Sequence, residues 1–110
     1  MIVDEFRASV DLYRRLLAEE GYSAYALLNM VDKRLAQISN HIAVIHRNIA
    51  ERRAYAASAW FGGSRHLTEV AKASDILDQT IEVQDALFEV RGDVLEQIAA
   101  EVQAAQGRSS

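Results

Sequence analysis

Residues 28–49 read LNMVDKRLAQISNHIAVIHRNI. Within them Leu28, Val31, Leu35, Ile38, Ile42, Ile45 and Ile49 recur in alternating steps of three and four. That spacing lays an apolar seam along one side of an α-helix and fits no strand, whose faces alternate every second residue. It is also the coiled-coil repeat, and successive isoleucines at core positions lean toward more than two packed strands. The repeat ends at Arg52, where the same register calls for another apolar side chain.

Glycines mark where this helix and its neighbours stop. Gly21 follows Glu19-Glu20, and Gly62-Gly63-Ser64 follows Ala59-Trp60-Phe61; the chain contains no proline. A glycine just past a periodic stretch takes the left-handed conformation without steric cost and ends the helix. The expected elements are helix A over 3–20, helix B over 23–58 and helix C over 66–105, with Ser23 and Ser64 as caps of B and C. Gly92 falls inside helix C and costs about 1 kcal/mol relative to alanine, too little to break so long a segment. The short connection around Trp60, Gly62 and Gly63 makes B and C antiparallel neighbours. The fold class is therefore all-α: a single domain over 1–110, a long helical hairpin with a short N-terminal helix, assembling into a multi-helix bundle.

Helix C is apolar over more of its circumference than one neighbour needs. On a straight wheel Val70, Leu77, Ile81, Phe88, Leu95, Ile98 and Val102 form one strip, and Ile76, Val83, Leu87, Val90 and Val94 form an adjoining one. Helix B covers one strip. Helix A offers Val3, Phe6, Val10, Tyr13 and Leu17 on a single face but is only half as long. The expectation is that Ile76, Val83, Leu87, Val90 and Val94 form an interface to a second copy or a partner protein.

The 110 residues are 50% hydrophobic and 25% charged, the balance of a folded, soluble chain. With no cysteine, disulfides, thiolate catalysis and cysteine-bound zinc are excluded. The net charge of −4 argues against general affinity for nucleic acid or anionic membrane. Charge is also segregated: residues 31–66 hold six bases and two acids, whereas residues 67–110 hold three bases and nine acids. Asp75, Asp78, Glu82, Asp85 and Glu89 run along one face of helix C. Such a ribbon is a solvated face, a partner for the bases of helix B or another subunit, or a surface for a basic partner. Lys33, Arg34, Arg47, Arg52, Arg53 and Arg65 make the one basic patch, without interleaved aromatics or a nucleic-acid motif. Nucleic acid is not an expected partner.

Chemistry-bearing spacings are sparse. His41 and His46 lie five residues apart, on different faces of a helix, and no Glu-x-x-His occurs. His66 and Glu69 can meet at the start of helix C, most simply as a cap contact. There is no nucleophile elbow and no glycine-rich phosphate loop. No run of about 20 apolar residues and no signal peptide is present. No enzyme activity, catalytic residue, cofactor or metal is expected. The sequence assigns no location: a cytoplasmic chain or part of a particle fits it, and a secreted one fits only on the family resemblance carried by Trp60-Phe61-Gly62.

Trp60-Phe61-Gly62, set between two long helices of an acidic, cysteine-free chain, resembles the W-x-G family. The resemblance implies a helical hairpin exported by type VII secretion and working as a dimer, with its Trp-x-Gly turn at one end of a four-helix bundle. Two features depart from that pattern. All four tyrosines (13, 22, 25 and 55) precede Trp60, so the export element of a Tyr followed four positions later by Asp or Glu is missing. Helix A is also additional. The leading functional expectation is a non-enzymatic structural or interaction subunit that acts by homo- or hetero-oligomeric assembly. A virion or phage structural ring, an adaptor, and a simple target-binding dimer all fit it. The alternatives are the W-x-G-type secreted dimer and a small acidic protein that occupies a basic partner surface.

Overall fold

The computed structural model describes residues 2–58 and 63–109, and every one of these outside 19–23 is helical. The helices are α1 (Ile2–Ala18), α2 (Ala24–Ser58) and α3 (Gly63–Ser109). Trp60 and Gly62, and with them the centre of the expected turn, lie outside the described residues. Gly63 is the first residue of α3.

The break between α1 and α2 is built from local chemistry. Gly21 sits at φ 83°, the left-handed value that ends α1. Ser23 then caps α2: its Oγ accepts from the Ala26 N–H at 3.2 Å while its carbonyl accepts from the Leu27 N–H at 3.0 Å. At the other expected cap the outcome differs. Ser64 lies within α3, and its carbonyl accepts from the Thr68 hydroxyl at 2.9 Å. The helix therefore begins before the position at which Ser64 was expected to cap it.

α2 and α3 pack along most of their lengths, and α1 docks onto both. The core is divided accordingly. Where α1 is present, Val3, Phe6, Val10 and Tyr13 close over Leu27, Val31, Leu35 and Ile38 of α2 and Val83, Leu87, Val90 and Val94 of α3. Beyond the start of α1 only two helices remain, holding Ile45 and Ile49 against Val70 and Leu77. Leu28 and Ile42, the other two members of the α2 seam, are half-buried. The two buried aliphatic hydroxyls are satisfied. The Ser9 hydroxyl donates to the Glu5 carbonyl and accepts from Arg34 Nε at 2.9 Å, and the Thr80 hydroxyl donates to the Ile76 carbonyl at 2.6 Å.

The result is a rod of 76 × 20 × 15 Å with a radius of gyration of 19.9 Å. A compact chain of this length would have a radius near ~13 Å. No described helix is long and apolar enough to cross a membrane.

Candidate functional site

The residues expected to be left for a partner are inside the chain. Val83 is 5% exposed and Leu87, Val90 and Val94 are fully buried, all in the three-helix core; Ile76 is half-buried beside Leu77. Helix α1 is the reason. Its apolar face fills the groove between α2 and α3 on one side, and the strip facing that groove is consumed. The assignment of Val83, Leu87, Val90 and Val94 to an intermolecular interface is therefore corrected; Ile76 lies outside the reach of α1 and is half-buried on the two-helix cluster of Ile45, Ile49, Val70 and Leu77.

The uncovered apolar face lies on the other strip. Leu67, Ile81, Phe88, Leu95 and Val102 are all exposed, from 36% at Ile81 to 56% at Leu67. They are separated by seven or fourteen residues, and Ser74 occupies the one intervening position of the series. Seven residues fall about 20° short of two helical turns, so the five side chains form a row that runs slowly around α3. Val70, Leu77 and Ile98, grouped with them on a straight wheel, are buried or half-buried. The buried face of α3 itself shifts around the helix between Leu77 and Val83, and a single straight projection merges positions that this shift separates.

The flanks of the row are polar. On the α2 side Arg91 Nε donates to Asp32 at 2.7 Å, a pair that joins α3 to α2 beside Phe88. Tyr25, one heptad before Asp32 on the same edge of α2, is 60% exposed. On the opposite flank run Asp75, Asp78, Glu82 and Asp85, exposed and without an ion pair among the described residues. Glu89 faces Arg14 of α1 at 3.8 Å with both groups half or more exposed, a contact of little energetic weight. The acidic ribbon is thus chiefly solvated within the chain. Gly92 sits between Phe88 and Leu95, and a Cβ built on it meets nothing within 4 Å.

The second feature is a groove of about 540 Å³ at the two-helix end, lined by Asn48, Glu51, Arg52, Tyr55, His66, Glu69 and Ala73. His66 stacks on Tyr55 with ring centroids 5.7 Å apart, and its Nδ1 is buried without a hydrogen-bond partner among the described residues. Glu69 pairs with Lys72 at 3.6 Å rather than with His66, so the anticipated cap contact is replaced. His41 packs beside Phe6, 6.1 Å between centroids, with Arg34 over the same phenyl ring at 5.4 Å. Among the described residues no three His, Asp or Glu side chains gather as a metal would require. Sequence reading missed the Ser9–Arg34–Phe6 connection, because nothing in spacing alone tells which helix face an arginine 25 residues away will cross.

No protein-family model, curated protein or solved structure matches the chain.

Proposed function

We propose that this chain is a non-enzymatic structural or interaction subunit that works by helical assembly, with copies of itself or with a partner protein. The observation that carries the reading is the row of exposed apolar side chains at heptad spacing on α3. Scattered exposed leucines are ordinary on any surface, but a row repeating at the period of helix–helix packing is the pattern a neighbouring helix fills. A rod this thin also has little interior of its own. Burying apolar surface at about 25 cal/mol per Å² favours a wider bundle. The same row serves a structural ring, an adaptor or a simple dimer alike.

The test is the native size of the protein in extract of the cells that make it, followed by mass from light scattering. Elution volume alone misleads, since a 76 Å rod elutes ahead of a globular chain of equal mass. An assembled species is expected, and a species at the 12.3 kDa chain mass alone would refute the reading.

A further inference from the structure

We infer that α1 is an exchangeable arm, which swings out at Gly21, continues α2 as one straight helix and fills the same groove of a second copy. The inference goes beyond the assembly reading above, because the exposed row of α3 takes no part in it. What covers the groove is already seen, since α1 fills it within the chain. Phase is the first ground. Val3, Val10, Leu17, Ala24, Val31, Ile38 and Ile45 recur every seven residues from α1 into α2. Six of them are buried and Leu17 is half-buried. Turns of about two to eight residues all join antiparallel helices, so a hairpin fixes no common phase. One continuous helix does fix it.

The hinge is the second ground. Gly21, at φ 83°, is the one positive φ among the described residues, and a Cβ built there meets nothing within 4 Å. Nothing else between Glu19 and Ser23 forbids a helix, for the chain has no proline. Straightening gives up the Ser23 cap on Ala26 and gains the helical hydrogen bonds of the turn. The third ground is the length of α3. Its 47 residues outrun the 35 of α2 by twelve, about 18 Å, and residues 99–108 are exposed. A straightened α1 lies along this tail. Two copies then meet end to end about a two-fold axis at their hinges. Val3, Phe6, Val10 and Tyr13 enter the second copy's core, Ser9 meets the second copy's Arg34, and each contact occurs twice. Because these contacts are the same in either arrangement, the turn and the tail decide the balance. The acidic ribbons stay apart: Asp85 stands twelve residues, roughly 18 Å, from Gln97 beside the turn, and Asp75, Asp78 and Glu82 lie farther away.

Asp11 and Glu82 share a hollow of about 200 Å³ on the seam of α1 and α3. The chain has no cysteine, so Asp11→Cys with Glu82→Cys supplies the only two thiols. A short bismaleimide links them within a chain when α1 is docked at home and between chains when it is exchanged. After equilibration of the full chain at about 100 µM, covalent dimers are expected on a denaturing gel. They should fade in samples equilibrated at about 1 µM. Gly21→Ala, strained at positive φ and a better helix former, should raise the association constant roughly tenfold or more. Two glycines inserted after Gly21 relax the turn and break the phase, and should abolish the dimers. Phe88→Glu with Leu95→Glu should leave them unchanged. Links confined within chains, in both the parent and the Gly21→Ala background, would overturn the inference. So would dimers indifferent to Gly21→Ala, or dimers lost with Phe88→Glu and Leu95→Glu. If links stay within chains while the cell extract still holds a larger complex, the exchange is wrong and the assembly reading stands. If links form between chains and the complex in extract survives Phe88→Glu with Leu95→Glu, the exchange stands and the row is not the contact.

Discussion

Leu87 and Phe88 are neighbours in sequence with opposite fates: Leu87 is fully buried and Phe88 is 54% exposed. By size and hydrophobicity the phenylalanine is the better core residue, so composition alone would rank the pair the wrong way. A step of one residue turns the side chain about 100°, and the α1–α2 groove selects which of the two it receives. Leu87→Ala should therefore cost about 2–5 kcal/mol, the range for removing a buried leucine. Phe88→Ala should stay within about 0.5 kcal/mol, as exposed substitutions do. Urea unfolding at a concentration where light scattering gives the 12.3 kDa chain mass measures both. Equal costs would mean that α3 is rotated from the position described. Ser23 is the opposite case, since a serine just after a glycine stop carries its capping role in its local sequence, and the structure shows that role in the bond to Ala26.

At the level of elements, legibility followed the range of the interaction. The three helices, the stop at Gly21 and the α2 seam all arise from contacts or conformations within a few residues, and spacing displays them. The covered side of α3 depends instead on where α1 docks, a contact between residues some 80 positions apart. The apolar content of α3 was apparent, but a straight wheel could not show that the buried face shifts along the helix, and the wrong strip was expected to be free. The division of the core has its own consequence. Val31, Leu35 and Ile38 are enclosed by two other helices, whereas Ile45 and Ile49 face only α3. Regions with fewer buried apolar contacts open more readily. Native-state hydrogen exchange should therefore show amides of 31–38 and 83–94 protected most, and those of 45–58 and 63–77 exchanging ahead of them. Uniform protection along α2 would show that the two-helix end is held by something besides Ile45, Ile49, Val70 and Leu77.

The whole molecule is a rod whose sticky row and acidic ribbon share one helix, and salt separates what each contributes. Each chain carries a net −4, and Asp78 and Asp85 border the row. Two copies joined through that row therefore bring like charges together, and their repulsion opposes the apolar gain. Raising ionic strength from about 0.1 M to 1 M shortens the Debye length from about 10 Å to 3 Å, which removes most repulsion between exposed groups. Burial of Ile81, Phe88, Leu95 and Val102 is unaffected by screening. A dimer through α3 should accordingly tighten as sodium chloride rises. The opposite slope belongs to the other use of this helix. If the ribbon of Asp75, Asp78, Glu82 and Asp85 were the contact, docking on a basic surface, screening would weaken the complex. Sedimentation equilibrium of the purified chain at 0.1 M and 1 M salt reads the sign directly. A dissociation constant that falls with salt places the contact on the apolar row. One that rises places it on charge, through the basic residues of α2 at Arg47, Arg52 and Arg53, and would require a different alignment of the two rods.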